Sequence, residues 1–207
     1  MRVRAIARVV GLALASLALP AACGEPGRPA TKDAVLTVDG RPREVETRLY
    51  RPPPSFPLAF TTYLPPGVHV DVAPPGESSA LTFVREGDGG VRGGAFVHLV
   101  VERPGISEQG ARALLRAAAG RFRIPGAETE LEPARIHRWA VEEYELRSRG
   151  TVRDRLGWMA LGRQDGRWFV LTVQVPVSLA ESFGPRADLI VEEWTWADGE
   201  RLRRLTK

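Results

Sequence analysis

DRLGWMALGRQDGRWFVLTVQVP, residues 154 to 176, is the stretch that decides the fold. Two apolar runs flank Asp165-Gly166, and an Asp-Gly pair between such runs is a strong signal for a β-hairpin because both residues tolerate positive φ. In the second run, apolar side chains alternate onto both faces, with Phe169, Leu171, Val173 and Val175 on one face and Trp168 and Val170 on the other. A strand that is apolar on both faces is covered on both. We therefore expect a hairpin whose second strand is central in a sheet, between helices.

Further strands and one helix are expected before this hairpin. Four runs between residues 58 and 102 are rich in Val, Phe and Thr and end at turn residues, which predicts four strands: LAFTTYL, VHVDV, ALTFVRE and AFVHLVVE. GDGGVRGG, residues 87 to 94, is interpreted as a hairpin loop. ISEQGARALLRAAAG changes to a helical period and predicts an amphipathic helix over residues 107 to 119. A second β block is expected to begin near Arg135.

The segment after the hairpin has a helical pattern. Ser178 and Glu181 have the spacing of a capping box, in which each side chain bonds a backbone N–H at the start of a helix. Gly184-Pro185 is expected to interrupt this helix, because proline removes a backbone donor and its ring clashes with the preceding turn. A second helix is then expected from Pro185 to about Ala197.

Two large apolar residues of that expected helix, Leu189 and Trp196, lie away from its main apolar face, which contains Ala187, Ile190, Val191 and Trp194. We expect residues 34 to 57 to cover Leu189 and Trp196. The alternatives are a partner surface formed by these two residues or their simple exposure to solvent.

Residues 1 to 22 have the features of an export signal. The basic residues Arg2, Arg4 and Arg8 precede an uncharged apolar run of eleven, Val9 to Leu19. At about 1.5 Å of rise per residue, this run is much shorter than the roughly 30 Å hydrocarbon core, so it predicts a cleaved signal peptide and not a transmembrane anchor.

Cys23 is the only cysteine, so no disulfide can form within the monomer. Pro20-Ala21-Ala22-Cys23 resembles the lipobox of bacterial lipoproteins, in which the cysteine is diacylated and becomes the new N-terminus. Pro20 stands where that family usually has leucine. The resemblance implies lipidation at Cys23. The alternatives are a secreted form with a free thiol and an uncleaved anchor.

The rest of the chain divides by composition. Residues 23 to 33 are polar and rich in Gly and Pro, which predicts a lipid-anchored tether. Residues 34 to 57 are expected to form an N-terminal arm or a hairpin around Asp39-Gly40 that ends in a proline-rich loop, RPPPSFP. Residues 58 to 200 suit a single α+β domain, and residues 201 to 207, RLRRLTK, form a basic tail.

The charge of the chain excludes one class of function. The whole sequence has 29 basic and 25 acidic residues. Removal of the signal takes three arginines and no acidic residue, so the mature chain has 26 basic residues and a net charge of +1. A nucleic-acid partner is therefore not expected.

The order of elements from about Phe60 to Trp196 resembles the Mog1/PsbP-like α/β fold, which includes exported bacterial lipoproteins. The residues that carry the resemblance are TTYLPPGV and SFGPRADLIVEEWTW, which are also similar to uncharacterised bacterial exported proteins. The resemblance implies an antiparallel sheet of about six to seven strands flanked by helices, in the order ββββ-α-βββ-α. It also implies a non-enzymatic accessory or binding role, and it transfers no site residue.

The sequence has few signs of chemistry. It lacks G-x-S-x-G, H-E-x-x-H, C-x-x-C and P-loop motifs. His69 and Asp71 share one strand face, but His69, His98 and His137 have no spacing that brings them to one ion, so neither a metal nor another cofactor is expected. The paired acids Glu142-Glu143 and Glu192-Glu193 are interpreted as solvated charge.

These features leave two hypotheses. The first is an envelope-anchored lipoprotein that acts as a non-enzymatic accessory or binding module and contacts another envelope protein or a small ligand. Its N-terminal lipid would hold it on the outer face of the bacterial cytoplasmic membrane or on the outer membrane. The alternative is an extracytoplasmic hydrolase with an unrecognised site, which requires Ser, His and an acidic residue to converge. The signal, Cys23 and the tether favour the first.

Overall fold

The computed structural model describes residues 28–73, 79–86, 94–121, 128–150 and 154–202. The expected signal peptide, Cys23, most of the GDGGVRGG loop and residues 203 to 207 of the basic tail lie outside the described residues. The protein has an α+β fold with antiparallel sheets and two described helices, in agreement with the expected class. Neither of these helices is long and apolar enough to cross a membrane.

The helices are α1 (Glu108–Arg121) and α2 (Ala180–Glu192). The strands are β1 (Thr31–Val38), β2 (Arg41–Tyr50), β3 (Phe60–Leu64), β4 (Val68–Val72), β5 (Ser79–Arg85), β6 (Phe96–Val101), β7 (Glu128–Pro133), β8 (Glu142–Arg149), β9 (Arg155–Gln164), β10 (Arg167–Pro176) and β11 (Thr195–Trp196). One sheet has seven strands in the order β4-β5-β6-β10-β9-β8-β7, and the other has four in the order β1-β2-β3-β11.

The expected hairpin over residues 154 to 176 is confirmed. β9 and β10 pair throughout, from Arg167 opposite Gln164 to Pro176 opposite Arg155. The turn residues Asp165 and Gly166 have φ of 49° and 73°, as a two-residue turn with positive φ at both positions requires. β10 also pairs with β6, so it is a central strand.

Both faces of β10 are buried, as the sequence predicts, and each belongs to a separate apolar core. Phe169, Leu171 and Val173 pack in a large core with α2 and β3. Trp168 and Val170 pack in a smaller core with Ala111, Leu115 and Ala119 of α1. The expected helix over residues 107 to 119 is confirmed, and the Ser107 hydroxyl caps it by accepting a hydrogen bond from the Gly110 N–H at 3.1 Å.

The four strands expected between residues 58 and 102 are present, but the expectation of one sheet is wrong. β3 pairs with β2 and β11 in the four-stranded sheet, whereas β4, β5 and β6 belong to the seven-stranded sheet. Pro65 and Pro66 follow β3, and proline cannot donate a hydrogen bond to a sheet ladder. The chain therefore leaves the first sheet there, and Gly67, with a φ of 76°, allows the turn into β4.

The expected boundaries of the C-terminal helix are wrong at its start and at Pro185. Residues Val177–Leu179 form a 3-10 turn, and the N-cap of α2 is Leu179 without a side-chain cap, so the Ser178 and Glu181 capping box does not form. α2 then continues through Gly184-Pro185. The loss of the proline N–H costs one helical hydrogen bond, but the buried face of Phe183, Ala187, Ile190 and Val191 holds both halves against the core.

The expected C-terminal end of this helix near Ala197 is also wrong. α2 ends at Glu192, and β11 follows after two residues. β11 pairs with β3, with Thr195 opposite Thr61 and Trp196 opposite Phe60. A strand therefore replaces the last helical turn because these residues complete the edge of the four-stranded sheet.

The second β block begins at Glu128 and not near Arg135. β7, with the sequence ETELEP, pairs only with β8 and forms an edge of the seven-stranded sheet. Charged residues are common on edge strands because they oppose pairing with other chains. Because β7 has few apolar residues, the alternation of apolar and polar residues that predicts a strand is absent from its sequence.

Residues 34 to 57 belong to the domain. β1 and β2 form a hairpin at Asp39-Gly40, and β2 also pairs with β3. The described end of the expected tether, residues 28 to 33, also contacts the domain. Thr31 begins β1, the Tyr63 hydroxyl donates to the Pro29 carbonyl at 3.0 Å, and the Leu49 N–H donates to the Ala30 carbonyl at 2.8 Å.

Candidate functional site

The three histidines occupy separate parts of the fold. His69 of β4 is partly exposed, with its Nε2 3.6 Å from an Asp71 carboxylate oxygen. His98 of β6 has its Nδ1 2.8 Å from the Thr82 hydroxyl on the neighbouring strand. His137 is buried in the loop before β8. Among the described residues, no three side chains of the metal-ligating types His, Cys, Asp and Glu come together.

The interpretation of Glu143 as solvated charge is wrong. Its side chain is only 2% exposed and pairs with His137, whose side chain is 0% exposed. His137 Nδ1 lies 2.5 Å from Glu143 Oε1, and the backbone N–H groups of Ile136 and His137 donate to Oε2 at 2.6 and 3.1 Å. Burial opposes ionisation of Glu143, but these hydrogen bonds prevail and hold its pKa below the usual value.

The His137–Glu143 pair contains the base and the acid of a hydrolase triad, but both side chains are enclosed. Trp139 and Trp158 flank the imidazole, with ring centroids 5.1 and 4.3 Å away. Its Nε2 is buried without a hydrogen-bond partner among the described residues. The pair therefore fixes the loop before β8 against the core, and a substrate has no access to it in this arrangement.

The other paired acids also have partners. Glu142 accepts hydrogen bonds from the Tyr144 hydroxyl at 2.7 Å and from Arg112 of α1 at 3.0 Å, which links α1 to β8. The hydrogen bond to Glu142 is the main reason that the pKa of Tyr144 is raised. Glu193 forms ion pairs with Arg28 and Lys32. The interpretation as solvated charge is therefore wrong for Glu142 and Glu193 as well.

Leu189 and Trp196 do not share a helix face. Trp196 is on β11, is 4% exposed and packs edge-to-face on Phe60 at 5.9 Å between centroids. Leu189 is half-buried on α2, which packs against β1, so residues of the expected 34 to 57 segment do lie beside it. The core covers Trp196, and a joint partner surface formed by these two residues is absent from the described fold.

A cavity lies between the proline-rich loop and the turn after β11. Its volume is about 650 Å³. This value falls within the roughly 300 to 1,000 Å³ of small-molecule sites. We call it the arginine–proline cavity, because its lining includes three arginines and three prolines beside three aromatic residues: Arg28, Arg51, Arg201, Pro52, Pro53, Pro54, Phe56, Phe60 and Trp196.

Backbone hydrogen bonds fix the wall of the arginine–proline cavity on two sides. On one side, the prolines fix the backbone φ of the loop, and the buried Phe56 anchors it through a hydrogen bond from its N–H to the Pro53 carbonyl at 2.8 Å. On the other side, the Trp196 N–H donates to the Glu200 carbonyl at 2.8 Å and closes the turn. Both sides of the wall are therefore fixed by backbone hydrogen bonds, and a wall that is already ordered lowers the entropic cost of binding.

Arg28 is the most constrained cation of the cavity. One guanidinium nitrogen donates to the hydroxyls of Thr61 and Thr195 at 2.9 and 3.2 Å and to the Glu193 carbonyl at 3.1 Å. The other nitrogen pairs with the Glu193 carboxylate at 3.1 Å, and the group lies 5.0 Å from the Tyr63 ring centroid. Glu193 therefore balances its charge, and Arg28 attaches the start of the described chain to the cavity wall.

A second cavity lies on the opposite face of the seven-stranded sheet, beside α1. It has a volume of about 200 Å³, below the usual size of a ligand site, and its lining includes His98, Glu102 and Thr172. Burial raises the pKa of Glu102, although the neighbouring Arg103 opposes this. The arginine–proline cavity is the better candidate because of its size and its convergent cations.

Sequence reasoning missed the arginine–proline cavity. Its residues come from the start, the proline-rich loop and the end of the described domain. These parts meet through the pairing of β3 with β11 and through the contacts of Arg28 with Glu193 and Thr195. The one local signal was RPPPSFP, a rigid loop that begins with arginine. No protein-family model matches the chain, and no curated protein matches it.

Proposed function

We propose that this protein is an exported lipoprotein of the bacterial envelope, anchored through lipid on Cys23, and that its domain is a non-enzymatic binding module. The supporting observation is the arginine–proline cavity beside the point where the described chain begins. Arg28 lines the cavity and follows Cys23 by only five residues. The membrane anchor and the cavity are therefore close neighbours along the chain.

The lining of the cavity favours binding over hydrolysis. Its described residues include the hydroxyls of Thr61 and Thr195, but both accept hydrogen bonds from Arg28. The described lining contains no histidine or carboxylate that could act as a general base. Three arginines with aromatic and proline side chains instead suit the recognition of an anionic group.

We also propose that the domain is of the Mog1/PsbP-like type. The order of β3 to β6, α1, β7 to β10 and α2 supports this. It differs from the expected ββββ-α-βββ-α order by the extra strand β7, and the β1–β2 hairpin and β11 are further additions.

To test the lipid anchor, the wild type and Cys23→Ser are expressed with their natural signal in a bacterial host. Membrane and soluble fractions are separated, and the intact mass of the mature N-terminus is measured. We expect the wild type in the membrane fraction with the mass of at least two acyl chains, which suffice for stable anchoring. Cys23→Ser should lose both properties.

Pro20→Leu is the matched control, since it restores the residue usual in the lipobox. This variant should be lipidated at least as completely as the wild type. A wild-type chain recovered from the soluble fraction with an unmodified thiol, or cleaved at another bond, would contradict the proposal.

A further inference from the structure

The mouth of the arginine–proline cavity has uncompensated positive charge. Arg51 and Arg201 line the cavity, and both are exposed. Within the described ranges, neither guanidinium group forms an ion pair, in contrast to Arg28 with Glu193. Asp198 and Glu200 lie in the adjacent turn but do not line the cavity, and Asp198 accepts a hydrogen bond from Gln164 at 2.6 Å.

Further positive charge adjoins the same place in sequence. Arg201 is followed within six residues by Arg203, Arg204 and Lys207. Arg28, where the described chain begins, and Arg201, next to its last described residue, both line the arginine–proline cavity. The basic run that starts at Arg201 therefore includes a residue of the cavity lining.

The short connection to Cys23 limits how far this face can lie from a bilayer. Arg28 is the fifth residue after Cys23, and a fully extended chain covers at most about 3.6 Å per residue. The Arg28 backbone is therefore within about 18 Å of a lipidated Cys23. A tether through residue 33 would allow roughly twice that distance, but residues 28 to 33 contact the domain.

We propose that the face around the arginine–proline cavity lies on the bilayer and that Arg51 and Arg201 bind the phosphates of anionic phospholipid headgroups. This inference rests on the proposed lipid anchor, which brings the cavity to the headgroup region. A guanidinium group binds phosphate through two parallel hydrogen bonds, and each basic side chain near an anionic surface strengthens attachment. Phe56 and Trp196 are buried, so contact is through charge and not through inserted apolar side chains.

The test uses the full mature chain, residues 23 to 207, made without lipid as Cys23→Ser, so that its outcome is independent of lipidation. Sedimentation measures its binding to vesicles of phosphatidylcholine alone and of phosphatidylcholine mixed with phosphatidylglycerol. We expect binding only to the mixed vesicles, with loss of binding at high salt because of screening. Arg51→Gln and Arg201→Gln should each weaken binding about fivefold.

Arg41→Gln and Arg149→Gln are the matched controls, because both residues are exposed, neither lines the cavity, and each change removes one charge. These variants should change binding less than twofold. An equal loss in the control variants would show that net charge alone is responsible, and it would overturn the proposal.

Two further outcomes would also overturn it. One is a failure of the unlipidated chain to bind the mixed vesicles while the wild type is lipidated in cells, which would leave the anchor intact and remove only this inference. The other is calorimetric binding of inorganic phosphate, lost in Arg51→Gln, without any binding to vesicles. That result would assign the cavity to a free anion.

Discussion

Replacement of Glu143 by glutamine should destabilise the protein, because it removes a buried carboxylate whose two oxygens both accept hydrogen bonds. The carboxylate accepts three hydrogen bonds, one from His137 Nδ1 at 2.5 Å and two from backbone N–H groups at 2.6 and 3.1 Å. Glutamine has one acceptor oxygen in place of two. Its amide NH₂ must therefore face either His137 Nδ1 or the two backbone donors. In the first case Nδ1 becomes the acceptor and the imidazole hydrogen moves to Nε2, which is buried without a hydrogen-bond partner among the described residues. In the second case the two backbone donors lose their acceptor.

The magnitude follows from the burial of these donors. Each buried polar group left without a partner costs about 1 to 3 kcal/mol, and at least one donor is left in this state. We expect Glu143→Gln to lower the free energy of unfolding by about 1 to 3 kcal/mol. For a domain of this size, each kcal/mol lowers Tm by about 2 to 4 °C, so Tm should fall by roughly 2 to 12 °C.

Glu145→Gln is a matched control on the same strand, two residues away. Glu145 pairs with Arg147 at 2.7 Å, but the two side chains are 39% and 44% exposed. An exposed pair contributes at most about 1 kcal/mol. Urea unfolding followed by circular dichroism gives both free energies, and equal losses of about 1 kcal/mol or less would refute this account of the buried pair.

The pair also predicts the direction of a pH dependence. The pKa of Glu143 is lowered in the folded state, so its contribution to stability is complete above the unfolded glutamate pKa of about 4.3 and is lost as the pH falls through the folded value. We expect the wild type to lose more stability than Glu143→Gln as the pH is lowered below about 4.3. Parallel pH profiles would contradict the lowered pKa.

Three other substitutions test the packing. Leu36→Ala on β1, where Leu36 is 2% exposed, should cost about 2 to 5 kcal/mol, whereas Val35→Ala, at a 62% exposed position, should cost less than about 0.5 kcal/mol in the same unfolding assay. Tyr50→Phe should raise the free energy of unfolding by about 1 kcal/mol, since the buried hydroxyl has no hydrogen-bond partner among the described residues. Burial raises the pKa of the Tyr50 phenol to about 12, which ultraviolet titration of the wild type should show. Gly157→Ala should prevent stable folding, because its Cβ would lie 2.0 Å from the Val173 carbonyl oxygen, and a variant with unchanged Tm would exclude that clash.

The central hairpin could be predicted because its signals are local. Asp165 and Gly166 both have positive φ, which most residue pairs disfavour. The apolar side chains on both faces of β10 indicate that both faces are buried. The helix over residues 107 to 119 could be predicted for the same reason. The helical spacing of its apolar residues and its cap, Ser107, both lie within one stretch of about fifteen residues. In these places the local pattern and the tertiary contacts favour the same structure.

The end of α2 could not be predicted for the opposite reason. Residues 187 to 196 have helical spacing of apolar side chains, but Trp196 is held opposite Phe60 by a strand distant in sequence. The burial of Glu143 could not be predicted either, because adjacent glutamates are typical of solvated surfaces. The pair forms because the loop before β8 places His137 against Glu143. The arginine–proline cavity also depends on contacts between distant residues, since the pairing of β3 with β11 brings its walls together.

The four-stranded sheet has a consequence for the order in which the chain folds. It joins β1 and β2, from the start of the described chain, to β11 near its end, and Arg28 and Glu193, which meet beside it, are 165 residues apart. A chain that crosses a membrane from its N-terminus exposes β3 long before β11 emerges. Contacts between such distant residues form slowly because a long loop must close first. For the exported chain that we propose, completion of this sheet therefore waits until translocation is almost finished.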